Sequence, residues 1–414
     1  MKKTRLLENI FSMVTLRAME YILSFILVPY LLRVLGPAQY GAIAFMQGII
    51  GYFSLCINYG FPLIAPRDIA QAKESDIPRL FSAYFWAMVL LWLLVSVIFF
   101  VGYQLLLLVY PVTLDLPLFF AVYTSVIGLV IFPIWYFQGI QQMRYITILN
   151  LSGRLVTMLL LFLLVRSPDD YVMAAFLMSC TPLFAGILSW KVIHDISPGI
   201  LQKPAWQDLR AAYREGWQIF VSSLAVNLYT TSDIVILGVL TNDTIVGYYS
   251  GADKLIGCIK QVVSAVNAAV YPYISKVMQE SIEQGLHFLK KQLLVYIVAG
   301  VLGGAVLYLL CPWGIPWLLG EKYIPSIGPL QVMAFVPLVV AMSNVMGYET
   351  MLPLGMEKIY SKVLITASIF NLIIICPLIS WKGAEGTALA VLCTETMVTV
   401  IMAVVLWKKR ILLR

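Results

Sequence analysis

Runs of about 20 mostly apolar residues, the length a helix needs to cross a bilayer core, recur a dozen times along these 414 residues, separated by short polar loops. In hydrocarbon every backbone N–H and C=O must find its partner within the protein, so repeated runs of this length are read as membrane-spanning helices. Composition agrees: 61% of residues are hydrophobic and only 12% charged, outside the range of soluble domains. The expected fold is an all-α polytopic membrane protein of about 12 transmembrane helices. The spans read as 6 to 33, 40 to 62, 81 to 102, 114 to 137, 146 to 165, 171 to 192, 217 to 240, 244 to 274, 289 to 311, 326 to 347, 361 to 380 and 384 to 407.

Cations set the orientation. With the N-terminus cytoplasmic, twenty lie in cytoplasmic segments, against Arg33, Arg166, Lys322 and Lys382 in outer loops, so both termini are expected inside. The net charge of +7 is mostly this topology signal and gives no support for nucleic-acid binding. The first span follows Lys2, Lys3 and Arg5, is too long for a signal sequence, and is expected to stay in the mature protein. The six cysteines fall in apolar spans without metal-ligand spacing, so neither disulfides nor a metal centre is expected.

Charge within a span is expensive and normally faces a partner or a hydrated cavity. In span 8, Ser250, Asp253, Gly257, Lys260, Ser264 and Asn267 recur at spacings of three and four, forming one polar stripe beside Lys254. Asp253 reads either as a structural partner of Lys254 or Lys260, or as part of a substrate-facing seam. Span 1 sets Asn9, Arg17, Glu20 and Ser24 on one face, with Arg17 roughly 16 Å along the helix. An Arg17–Glu20 pair that only fixes packing is the plain alternative. Span 2 aligns Gln47, Gly51, Ser54 and Asn58 without charge, and span 5 aligns Thr147, Asn150, Arg154 and Thr157. Arg154 has no acid within one helical turn, so a distant carboxylate or an anionic ligand is expected to supply its acceptor. Span 7 carries Ser222, Ser223, Asn227, Thr230 and Asp233. Spans 3 and 4 are apolar and aromatic, as expected of peripheral lipid-facing helices. Glu349, Asn371 and Glu395 are scattered beyond span 8. An isolated packed carboxyl and a functional one are equal readings of Glu395.

The long polar connection from Lys191 to Gly216 suggests two six-helix bundles, residues 1–200 and 201–414. Two echoes support an internal repeat. VLGPAQYG at 34–41 is answered by VLTNDTIVG at 239–247, and AFLMSCT at 175–181 by ALAVLCT at 388–394. A parallel repeat would give spans 1, 2, 7 and 8 equivalent positions around a central cavity.

No phosphate-binding loop is present, and neither His194 nor His287 lies in an apolar span. The pattern points to a secondary transporter with both signs of charge in a deep cavity, and no cofactor is expected. WYFQGIQQMRYIT (135–147), VGYYSGADKL (246–255), NVMGYETMLPLGMEK (344–358) and LGPAQYG (35–41) together resemble Wzx-type polysaccharide flippases. These belong to the multidrug/oligosaccharidyl-lipid/polysaccharide exporter superfamily. Two departures stand out: Gln141 where such proteins often have Glu, and Glu349 where they often have Gln.

The resemblance implies two bundles in a V around a central cavity, working by alternating access. The substrate it implies is undecaprenyl-diphosphate-linked oligosaccharide, O-antigen or a related surface glycan, carried to the outer leaflet of the bacterial inner membrane. Membrane lipids and polysaccharide polymerase machinery are the implied partners. On that reading Arg17, Arg154, Lys254 and Lys260 suit a diphosphate, and Asn58, Asn227 and Asn267 suit sugar hydroxyls. Glu20, Asp233 and Asp253 are candidates for coupling to H+ or Na+. A multidrug cation antiporter and a membrane glycosyltransferase or polymerase are the alternatives.

Overall fold

The computed structural model describes residues 2–109, 114–409 and 411, and the side chains of residues 2–18, 20–22, 106, 108–109, 225–226, 228–230, 268–269 and 272 fall outside the described set. The chain is all-α. Its helices are α1 (Lys2–Asn58), α2 (Phe61–Gln71), α3 (Ile77–Val109), α4 (Leu116–Ile131), α5 (Ile134–Gly139), α6 (Met143–Leu164) and α7 (Tyr171–Ile196). They continue with α8 (Trp206–Thr230), α9 (Ser232–Leu240), α10 (Asp243–Glu280), α11 (Ile282–Leu319), α12 (Ile327–Met333), α13 (Val336–Asn344) and α14 (Glu357–Lys408). A π-helical turn, Val345–Met351, continues α13.

Eight helical stretches among the described residues are long and apolar enough to cross a membrane. The longest two each hold a pair of the expected spans joined at one glycine. Gly36 in α1 (φ 77°) and Gly383 in α14 (φ 53°) leave the helical region, so each helix is two arms meeting at a break that glycine adopts without a Cβ penalty. Pro312 and Pro316 lie inside α11, which runs to Leu319. Likewise Pro66 lies inside α2. Pro133 does interrupt its span, separating α4 from α5.

Two compact units emerge from the contacts. The first comprises Met1–Leu27 and Met46–Leu224, the second Val28–Phe45 and Ala225–Arg414.

In the first unit α4 and α6 pack on α7. Most of the α4 span is buried, in contrast to the lipid-facing position expected of it, whereas α3 is mostly exposed as expected. Close packing on α7 explains the difference, since a Cβ on Gly128 would lie 2.5 Å from the Leu183 nitrogen, and aromatic contacts add to it, with Phe119 stacked on Phe99 at 4.8 Å and Phe53 meeting Tyr123 edge-on at 5.8 Å. The Trp190 indole N–H adds a bond to the Ile131 carbonyl (3.0 Å) that ties α7 to the end of α4.

The beginning of α8 docks on this same unit. Arg79, at the start of α3, grips the Asp208 carboxylate through two nitrogens, one of them Nε at 2.9 Å. Farther along α8, Arg67 donates to Glu215 (3.0 Å), the Tyr213 hydroxyl donates to the Ala87 carbonyl (2.9 Å), and Phe220 stacks on Tyr59 at 4.8 Å. Arg79 and Asp208 both precede the apolar stretches of their helices. The hydrogen bond from Arg79 holds the Asp208 carboxyl below the usual carboxylate range, against the opposing effect of partial burial.

In the second unit α10 is the hub, touching α9, α11, α12, α13 and α14. Residues 28–45 of α1 pack here too. Gly41 and Gly247 belong to the two halves of the first sequence echo, and these echoing segments lie against each other. A Cβ on Gly41 would land on the Asp243 carbonyl and 2.6 Å from the Gly247 nitrogen.

Candidate functional site

Each unit contains its own polar seam. In the first, the Arg154 guanidinium on α6 donates to the Ser24 hydroxyl on α1 at 2.6 Å. This bond joins two seams that sequence periodicity defines on separate helices. Beneath it, the Thr157 and Thr181 hydroxyls meet at 3.0 Å, linking α6 to α7, and Asn150 turns its amide back onto the Ile146 carbonyl (3.1 Å). Arg154 is half-buried. The backbones of Arg17 and Glu20 lie in α1, but their side chains lie outside the described residues. Asn58 is half-buried at the last turn of α1.

The second unit gathers charge. Asp233 on α9, Tyr249, Asp253 and Lys260 on α10, and Asn371, Val391, Thr394 and Glu395 on α14 line one cavity of about 70 Å³. Asp233 is 5% exposed, and its Oδ1 has no hydrogen-bond partner. The Asn371 amide donates to the Thr394 hydroxyl at 3.2 Å, while its own carbonyl oxygen is unpartnered. Lys260 Nζ lies 3.9 Å from Asp253 Oδ1, a loose pair with about a third of each side chain exposed. Three carboxylates and one ammonium share the cavity. If all were ionised the lining would carry two uncompensated negative charges within a membrane span, an arrangement that calls for bound protons or cations.

Thus Asp233, Asp253 and Lys260, predicted separately, come together in one place. Lys254 is half-buried and faces Tyr40 instead. Asn267 is buried elsewhere on α10, where it accepts from the Tyr296 hydroxyl at 2.6 Å. Asn227 is half-buried and accepts from Thr231 at a long 3.4 Å. Sequence reasoning left Asn371, Thr394 and Glu395 unassigned. A signal for them existed in the second echo, AFLMSCT and ALAVLCT, whose final threonines are Thr181 and Thr394. Each joins its helix to the preceding span of its own unit, Thr181 through Thr157 and Thr394 through Asn371. Glu395 is the next residue.

The whole chain resembles two solved folds. One is described as lipid II flippase MurJ in an inward closed conformation, with a TM-score of 0.75 at 12% identity, covering 98% of this chain and 87% of that one. The other is an inward-facing multidrug resistance MATE family transporter of the MOP superfamily, with a TM-score of 0.68 at 12% identity, covering 95% of this chain and 94% of that one. At such identity the likeness concerns the fold.

Two sequence relatives carry the name "Putative O-antigen transporter". The one from Escherichia coli (strain K12) is 28% identical over 97% of this chain and 96% of its own length. The one from Shigella dysenteriae is 28% identical over 95% and 98%. Residues 6–278 match the family described as "Polysaccharide biosynthesis protein". With the Wzx-type motifs in place, two thirds of the chain matched and both relatives aligned nearly end to end, this multi-pass membrane protein belongs to the polysaccharide biosynthesis protein family.

Proposed function

We propose that the protein flips undecaprenyl-diphosphate-linked oligosaccharide units, O-antigen or a related surface glycan, across the bacterial inner membrane by alternating access coupled to H+ or Na+. It is a transporter, not an enzyme. The relatives named as O-antigen transporters support the lipid-linked glycan as cargo. A diphosphate and a hydroxyl-rich glycan cannot enter hydrocarbon unaided, because each polar group stripped of water without a partner costs several kcal/mol, roughly 2–7.

In this reading the Arg154 fork meets the diphosphate, with Arg17, Lys254 and Lys260 as further cations, while Asn58, Asn227 and Asn267 serve sugar hydroxyls. Membrane lipids surround the spans, and the polymerase machinery takes the product. The Asp233 cavity carries the coupling reading. Its size admits a small cation or a few waters, whereas organic ligands occupy pockets of about 300–1,000 Å³. That size suits a coupling ion rather than the cargo itself. Cation or proton binding at Asp233 and Asp253, and at Glu20, would be released and renewed as the protein changes state.

The deciding experiment is reconstitution in vesicles with undecaprenyl-diphosphate oligosaccharide. Movement of the intact unit, unchanged in length and linkage, is expected. Elongation or transfer of the glycan, or no movement at all, would reject the reading.

A further inference from the structure

A second polar cluster in the same unit shares no residue with the Asp233 cavity. Glu349 lies in the π-helical turn Val345–Met351, is 0% exposed, and has neither carboxyl oxygen bonded to the protein. Within side-chain reach of it, and of Tyr296, is Gln292 on α11, whose amide nitrogen and carbonyl oxygen make no hydrogen bond of normal geometry. One turn along α11, Tyr296 donates its hydroxyl to Asn267 on α10. The Thr350 hydroxyl bonds the Val345 carbonyl (2.7 Å) and so braces the turn that presents Glu349. Such π turns recur at functional sites.

No cation neutralises this carboxyl among the described residues. The titratable groups against it are phenols, Tyr296 from α11 and Tyr348 from its own turn. On α14, Tyr360 faces Tyr348 and Glu395. From α11, Lys290 lines a different small cavity with Val345, Met346 and Thr350 and makes no ion pair with Glu349. A fully buried carboxylate without a counter-charge is strongly disfavoured, and four orphaned polar atoms would each add a desolvation penalty.

A single proton resolves both problems. With an O–H on Glu349, the acid donates to Gln292 Oε1 while Gln292 Nε2 donates to the other Glu349 oxygen, closing a ring of two hydrogen bonds that satisfies all four atoms. Ionised Glu349 could only accept from Gln292 Nε2 and would leave Gln292 Oε1 without a donor. A metal cation would leave the Nε2 donor unused.

We propose that Glu349 is a proton-binding site of this protein, holding its proton as a hydrogen-bonded acid–amide pair with Gln292, separate from the Asp233 cavity. The proton comes from water, an O–H bond forms on the carboxylate, and no redox change is involved. The inference does not depend on the identity of the cargo.

The test is infrared difference spectroscopy on the purified full chain in lipid nanodiscs at neutral pH. Wild type minus Glu349→Gln should show a protonated carboxyl C=O band that is indifferent to exchanging sodium for potassium and persists in Asp233→Asn. Gln292→Leu should shift that band toward the frequency of a weakly hydrogen-bonded acid. If Glu349→Gln fails to accumulate, the shift caused by Gln292→Leu carries the assignment. Absence of the band, its appearance only when sodium is withdrawn, or no response to Gln292→Leu would overturn the proposal.

Discussion

Gly41 and Gly247 pass each other so closely that a Cβ on either would meet backbone. From Gly41 it would reach the Gly247 nitrogen at 2.6 Å, and from Gly247 the Pro37 carbonyl carbon at 2.6 Å. Backbone cannot swing aside as a side chain can, so the second arm of α1 is locked to the start of α10. Gly41→Val should destabilise the protein by about 3 kcal/mol or more, at the upper end of overpacking effects. Gly257, on the same helix α10, has nothing within 4 Å of its Cβ position. Gly257→Ala should be neutral or stabilise by up to about 1 kcal/mol through helix propensity. Thermal melting of the solubilised protein compares the two, and equal losses would contradict the packing account.

The Arg79–Asp208 clip should contribute only modestly, because the Arg79 side chain is 66% exposed and water screens the pair. Its pH dependence has a definite sign. Asp208 is depressed in the folded state, so its contribution is present above the unfolded value of about 3.9 and is lost as pH falls through the lower folded value. The melting difference between wild type and Asp208→Asn should therefore hold near neutrality and shrink in acid below about pH 4. A difference that grows in acid would exclude the clip.

Arg154 meets Ser24 at 2.6 Å from a half-buried position. Under the flippase reading, Arg154→Ala should lower flipping tenfold or more, as expected for loss of a charge-assisted hydrogen bond of about 1.5–3 kcal/mol, and Arg154→Lys less so. Glycan export at matched protein levels reports both. Normal export by Arg154→Ala would remove this residue from the mechanism.

Coupling can be read in vesicles under imposed proton or sodium gradients. Asp233→Asn, Asn371→Ala and Glu20→Gln should leave cargo binding largely intact and abolish the response to the gradient. Wild-type flipping that ignores both gradients, or variants that respond as wild type does, would return these groups to a structural role.

The cation bias predicts that a cysteine introduced at Asp169 reacts with an impermeant thiol reagent in intact cells and that one at Lys203 is protected. The reverse pattern would invert the topology.

Membrane residence, the helical fold class, the paired echoes and most of the polar seams were legible in the residues themselves. Span length, charge bias and three-to-four spacing are local properties, and each acts through one helix at a time. Local periodicity carried Asp233, Asp253, Lys260 and Arg154 as polar positions on their helices. Which of them meet is a non-local matter. Asn371, Thr394 and Glu395 became site residues only because α14 packs on α9 and α10, and Arg154 found Ser24 only because the tertiary fold brings these two positions of α6 and α1 together. The same holds for α4, whose apolar surface reads equally well toward lipid or toward protein. Lipid and core are alike to a phenylalanine, so hydrophobicity placed α4 in the membrane, and only its close packing on α7, with the aromatic contacts of Phe119 and Tyr123, placed it inside the bundle.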